Sequence, residues 1–213
     1  MSGSVPSVIR VILLLILNSP EELHKIFQTN AFGPLNLMQA VLPEMRSRRS
    51  GVIVNISSAA ALNPRPSMAA YGASKWALEG LSQGLAQEVA PFGIRVLIVQ
   101  PGAFTTNMLN AVNTTAKPLT EDYNSTEVGT WYRIFEGENR DFKSPNDVQK
   151  GCQGIFEAVT GTGRAVGKTD LVRMPLSSDV AERTTEHIAR LQAGYDEWKP
   201  IWESTGHDGG VSK

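Results

Sequence analysis

The 213 residues carry 20 Lys and Arg against 21 Asp and Glu, a formal net charge of -1, and so near a balance leaves no electrostatic footprint for nucleic acid. Cys152 is the single cysteine, which excludes an intrachain disulfide and fits a reducing, cytoplasmic setting. The length is that of one domain, or at most one and a half, with enough chain to bury a sizeable core around one site.

The chain opens with an apolar run, Val11 to Leu17, behind Arg10. It is far shorter than the ~20 residues of a membrane span. A secretory or membrane-associated reading of residues 8–17 lacks the small-residue cleavage pattern, since Asn18-Ser19-Pro20 follows. A branched-aliphatic run bounded by turn residues reads as a buried parallel strand. Ser19-Pro20-Glu21-Glu22 then predicts a helix start, with serine at the N-cap, proline at N1 and a glutamate completing a capping box. Leu23, Ile26 and Phe27 form its apolar stripe, continued by Leu35, Met38, Leu42 and Met45. Pro34 and Pro43 are expected to interrupt it, leaving the segment near Asn30 to Pro34 irregular. Arg46, Arg48 and Arg49 read as a helix end, where cations oppose the negative pole of the macrodipole.

Val52 to Ile56 predicts a strand ending in Ser57-Ser58, and a helix is expected from about Ala69 to Val89, stopped by Pro91 and Gly93. Ile94 to Val99 is the next strand, ending in Gln100-Pro101-Gly102. Residues 107–143 show little periodicity and read as a long loop, the kind that serves as a lid or stays disordered. Ser144-Pro145-Asn146-Asp147 opens a helix expected to turn Val148, Cys152, Ile155, Phe156 and Val159 toward the sheet. Ile188, Leu191, Tyr195, Trp198 and Trp202 form a last stripe, for a core or an interface. Strands alternating with helices make this an α/β protein with a parallel sheet.

Ligands of such sheets bind beyond the carboxyl ends of the strands, where Ser57-Ser58 and Pro101-Gly102 lie. Tyr71 and Lys75 are four apart on a helix and so share one face. Free tyrosine is a poor base at neutral pH, but an ammonium at ~4 Å in an effective dielectric of ~20 favours the phenolate by roughly 4 kcal/mol. Such a pair can move a proton to or from an oxygen. It cannot carry hydride, so a nicotinamide cofactor is implied. Gly161 to Thr169 falls short of a phosphate-binding loop because threonine stands at 162, and His24, His187 and His207 lack ligand spacing for a metal.

Asn30-Ala31-Phe32-Gly33, Val54-Asn55-Ile56-Ser57-Ser58, Tyr71-x-x-x-Lys75 and Pro101-Gly102 together resemble, in order and separation, the motifs of short-chain dehydrogenases/reductases. The resemblance covers roughly residues 19 to 205, and the tail from Leu171 to Asp179 is similar to the hydroxysteroid and retinol dehydrogenase-like branch. It implies Tyr71 as acid/base, Lys75 as the partner of Tyr71 and of the cofactor ribose, and Ser58 as the group that orients the substrate oxygen. It also implies that Asn30 holds a water near the lysine. Pro101, Gly102, Phe104 and Thr106 fall where the family meets the nicotinamide, and Met108, Leu109, Trp131 and Tyr132 in its variable substrate loop.

The cofactor is then NAD or NADP, the substrate a small apolar alcohol or carbonyl, and a homo-oligomer is expected, with no nucleic acid and no membrane span. The Gly-x-x-x-Gly-x-Gly turn of the family and its Asn-Asn-Ala-Gly motif do not occur in the 213 residues. The expected fold is thus a partial Rossmann-like, doubly wound parallel sheet lacking the first strands, N-terminally truncated. It divides into an atypical apolar segment (1–18), a catalytic part (19–205) and a flexible tail (206–213). Such a chain is an NAD(P)-dependent oxidoreductase, or else a non-catalytic homologue that acts as a dimerisation partner or has no activity.

Overall fold

Helix boundaries in this chain follow local chemistry closely. The computed structural model describes residues 10–11, 19–106, 112–113, 117–136 and 144–206. A two-residue strand, β1 (Arg10–Val11), comes first; the rest of the apolar run and the tail beyond residue 206 lie outside the described residues. In α1 (Pro20–Phe27) the capping box is formed: Glu22 N donates to Ser19 Oγ at 3.2 Å and Ser19 N to the Glu22 carboxylate at 2.7 Å.

A π-helical turn, Gln28–Phe32, joins α1 to α2 (Gly33–Ser47), so the irregular stretch at Asn30 is present. The prolines do not break the helix, however. Pro34 occupies the first turn of α2, where its missing N–H costs little, and α2 runs on through Pro43. The arginines do sit at the helix end: Arg48 is the C-cap, Arg49 donates to the Pro91 carbonyl at 2.6 Å, and Arg46 and Arg49 lie over the Phe92 ring.

The sheet is parallel, in the order β2 (Gly51–Ile56), β3 (Ile94–Pro101), β5 (Arg173–Leu176). Gly51 stands opposite Ile94 and Ile56 opposite Val99, and β3 pairs with β5 from Ile98–Arg173 to Pro101–Leu176. Between β2 and β3 come the short α3 (Ala59–Leu62) and the long α4 (Ala69–Val89). Gly93, at φ 68°, makes the left-handed turn from α4 into β3. After β3, β4 (Val112–Asn113) pairs in parallel with β1.

Helices lie on both faces of the sheet. α2 and α4 cover one, where Met38, Leu78 and Val89 pack with Ile53, Ile94 and Val96. On the other lies α6 (Val148–Thr160), N-capped by Asp147. α6 turns only part of the expected stripe inward: Ile155 and Val159 are half-buried. Val148, Cys152 and Phe156 are exposed; the helix approaches by Gly151 and Gly154, which lie against Phe104, Met174 and Leu176. Arg95 secures this contact by donating to the Ala158, Val159 and Thr169 carbonyls.

The expected loop 107–143 also holds structure, namely α5 (Glu127–Glu136), which the sequence conceals because Gly129 stands in its first turn. The last helix, α7 (Ser178–Glu203), is anchored by buried Val180 and by Arg183, which donates to the Asn63 carbonyl. Its apolar stripe is not core: Ile188, Leu191, Tyr195, Trp198 and Trp202 are all exposed.

Leu78 is fully buried at the centre of the α2–α4–sheet cluster. Leu78→Ala is expected to cost ~2–5 kcal/mol of stability, read from the shift of a urea unfolding midpoint; a shift near zero would mean that the helices collapse onto the cavity.

Candidate active site

α4 organises the site, because its inward face is lined with polar side chains that each find a partner. Tyr71 is 2% exposed and Lys75 lies one turn on, its Nζ 5.9 Å from the Tyr71 ring centroid, within the range of a cation–π contact. A buried ammonium requires compensation, and here Nζ donates to the Ile56 carbonyl at 2.9 Å, at the last residue of β2.

Ser58 follows directly and N-caps α3: its Oγ accepts from Ala60 N at 3.2 Å. An oxygen used as acceptor keeps its own O–H to donate to a ligand. α3 and α4 meet at Gly72, where an added Cβ would fall 2.6 Å from the Ala60 carbonyl. That approach packs α3, which Ser58 caps, against the first turn of α4, which carries Tyr71.

Asn30 is buried in the π-helical turn, and its Nδ2 donates to Ser74 Oγ at 3.1 Å, while Ser74 Oγ donates to the Tyr71 carbonyl at 2.7 Å. Asn30 is thereby joined to α4 between Tyr71 and Lys75. A cavity of about 410 Å³ opens between α2 and β2, lined by Asn30, Met38, Val54, Ile56, Lys75 and Leu78. Ser57 turns away from this locus, its Oγ donating to Glu79 at 2.6 Å, so of the two serines Ser58 is the one that caps α3 beside Tyr71.

Pro101, Gly102, Phe104 and Thr106 do not line that cavity. Gly102 abuts the start of α7, where an added Cβ would meet Ser177 Oγ and, at 2.5 Å, the Asp179 carboxylate. Phe104 packs against Gly151 of α6, and Thr106 is exposed. Met108 and Leu109 lie outside the described residues. Trp131 of α5 stacks under Arg65 at 4.6 Å, which sets α5 beside the loop leading into α4.

Two polar groups of the site are absent from the sequence reading. Ser74 could have been found from its place between Tyr71 and Lys75. Glu79 stands next in the i, i+4 row after Tyr71 and Lys75, but nothing in the sequence marks it as buried.

Comparison with known proteins bears on this arrangement. The family model described as short chain dehydrogenase matches residues 15–117. A solved short-chain dehydrogenase from Streptomyces avermitilis is 35% identical and superposes with a TM-score of 0.77, over 93% of this chain and 68% of that one. The chain belongs to the short-chain dehydrogenase/reductase family. Among curated members of that family, a 3-ketodihydrosphingosine reductase from Bacteroides thetaiotaomicron is 42% identical over 62% of this chain and 49% of its own. The oxidoreductase BOA17 of Botryotinia fuckeliana is 35% identical over 82% of this chain and 60% of its own. The chain thus spans about half the length of the first of these short-chain dehydrogenase/reductase relatives.

Gly72→Ala is expected to cost ~1–3 kcal/mol by forcing α3 from α4, seen as a lowered thermal midpoint; an unchanged midpoint would show that the two helices part without strain.

Proposed function

We propose that the protein is an NAD(P)-dependent oxidoreductase that interconverts an alcohol and a carbonyl, with Tyr71 as the acid/base. The observation that supports this reading is the placing of Tyr71 and Lys75 one turn apart on α4, with Asn30 linked to that turn through Ser74 and Ser58 capping the helix that packs on it. Lys75 and Asn30, which reach the cavity, would hold the ribose of a nicotinamide cofactor, whose hydroxyls an ammonium and an amide can hydrogen-bond; Tyr71 and Ser58 do not line that cavity. When bound, the nicotinamide accepts or supplies the hydride.

The chain's own residues handle the proton. In oxidation Tyr71 takes it from the substrate hydroxyl as the C–H bond gives up hydride; in reduction Tyr71 returns it to the carbonyl oxygen. Ser58 Oγ–H orients that oxygen. Lys75 serves the ribose, and Asn30 with its π-turn holds a water that links Lys75 to solvent.

For the substrate we propose a small apolar alcohol or carbonyl; the relative named as a 3-ketodihydrosphingosine reductase agrees with it in acting on a ketone in an apolar molecule. Trp131 and Tyr132 of α5 supply apolar contacts to it. No described helix is long and apolar enough to cross a membrane, and the lone, exposed thiol of Cys152 favours the cytosol.

Tyr71→Phe is expected to lower turnover at least ~10²-fold, the range for losing a positioned acid/base. Lys75→Met should harm cofactor affinity and turnover together. Near-native turnover in the first variant, or unchanged cofactor affinity in the second, would remove the corresponding role.

A second reading, a non-catalytic partner in a homo-oligomer, is favoured by the exposed apolar stripe of α7 and by the outer edge of β2, which pairs with no other strand among the described residues. Pyrophosphate and adenosine provide binding energy remote from the reacting ring, and the 213 residues hold no glycine-rich turn for them. Fluorescence titration of NADH and NADPH into the purified chain, alongside its size in solution, is therefore expected to show weak binding by an associated species. Micromolar binding by a monomer would exclude this second reading.

A further inference from the structure

α4 carries a second charged side chain one turn beyond Lys75. Glu79 is 1% exposed, and three side chains from three different strands or strand ends converge on it. Ser57 Oγ, at the end of β2, donates to Oε1 at 2.6 Å; Gln100 Nε2, near the end of β3, donates to the same oxygen at 2.8 Å; Arg173 Nε, at the start of β5, donates to Oε2 at 3.1 Å. Arg173 is held in turn by Gln83, a turn further along α4, at 2.8 Å. Buried carboxylates survive only when paired and hydrogen-bonded, and this one has an ion pair plus two neutral donors.

Two of the three partners of Glu79 are next in sequence to candidate site residues. Ser57 lies between Ile56, whose carbonyl holds Lys75, and Ser58. Gln100 precedes Pro101-Gly102. Glu79 itself stands four residues after Lys75 and eight after Tyr71, on the same row of α4. A side chain that ties α4 to the ends of two strands at once sets how far Lys75 Nζ stands from Ile56 O and how Ser58 faces Tyr71. A hydrogen-bonded unit of this kind acts through geometry, not by touching substrate.

We infer that Glu79 is a positioning residue for the catalytic side chains, acting through Ser57 on Ser58 and Lys75. Its role in turnover rests on the oxidoreductase reading; its role in holding Lys75 does not.

The test compares the native 213-residue chain with Glu79→Asp, Ser57→Ala and Val96→Ala, the last a core truncation that removes none of the hydrogen bonds of Glu79 and serves as a control for lost stability. Aspartate is one methylene short and cannot reach Ser57 and Gln100 together from the same backbone. Two quantities are read: the rate at which Lys75 is acylated by a small amine reagent, resolved by peptide mass spectrometry, and kcat with cofactor and a ketone panel. Glu79→Asp is expected to label Lys75 at least ~10-fold faster than the control at matched thermal midpoint, and Ser57→Ala, the gentler change, several-fold faster. In preparations that turn over, kcat should fall by a like factor with substrate KM held.

Labelling of Lys75 in both variants no faster than in the control overturns the inference, as does a full kcat in Glu79→Asp. Should Glu79→Asp fail to fold, Ser57→Ala alone decides by the same criterion. Absence of turnover in the native chain would count against the oxidoreductase reading, and the labelling comparison would still answer for Glu79.

Discussion

Lys75 is a charged side chain inside the protein, and the structure around it follows from that. An ammonium out of water is tolerated only where fixed dipoles replace its hydration. The Ile56 carbonyl does so at 2.9 Å, with the face of Tyr71 nearby. For the carbonyl to be there, β2 must end where α4 crosses it. For α4 to lie that close, its contact residues must be small: Gly72 meets the Ala60 carbonyl, and Ala59, Ala60 and Ala61 of α3 are all buried. The run of three alanines and the glycine after Tyr71 are thus conditions for the lysine's place.

The same demand extends along the inward face of α4, which is polar to an unusual degree for a buried helix. Ser74 joins Asn30 and the Tyr71 carbonyl, Glu79 joins Ser57, Gln100 and Arg173, and Ser82 joins Asn55 and the Leu78 carbonyl. Buried polar groups without partners cost more than apolar ones of the same shape, whereas a fully connected set fixes one arrangement against all others. Leu78 and Val89 supply the apolar part of the same face. Helix, strand ends and the π-turn at Asn30 are therefore locked by hydrogen bonds whose directions tolerate less sliding than packing alone.

This explains which parts could be read from the chain. The bounds of α4, the capping box at Ser19 and the strands at Val52 and Ile94 are local matters of caps, breakers and β-branched runs, and they stand as expected. The choice of Asn30, Ser58, Tyr71 and Lys75 as candidates rests on a spacing that matches a family pattern, not on any one residue announcing its chemistry. Glu79 was not legible: a glutamate within a helix reads as solvent-facing until Arg173, ninety-four residues away, is seen beside it. α6 misled for a related reason. A hydrophobic stripe tells which side chains are apolar but not how near the neighbouring sheet lies, and there the close approach of Met174 and Leu176 favours the glycine side. Pro43 misled because a proline inside a helix removes one hydrogen bond without removing the packing of Met38 and its neighbours on the sheet.

The outer part of the molecule obeys a different balance. α7 extends about 39 Å at the rise of an α-helix, and its anchors, Val180, Arg183 and the edge-on contact of His187 with Trp76, all fall in its first half. Beyond them Leu191, Tyr195, Trp198 and Trp202 face outward, too large an apolar surface for a helix held by propensity alone. β2 is in a comparable position: from Gly51 to Ile56 it has no lysine or proline, the usual guards of a free edge, and Ile56 is half exposed. The polar lock around α4 owes nothing to either feature, since every partner of Ser74, Lys75, Glu79 and Ser82 named above comes from α4, β2 and the Ser57 that follows it, β3, β5 or the π-turn. The geometry around Tyr71 and Lys75 therefore does not depend on what covers the edge of β2 or the stripe of α7, which separates what fixes those two side chains from what shields the outer apolar surface.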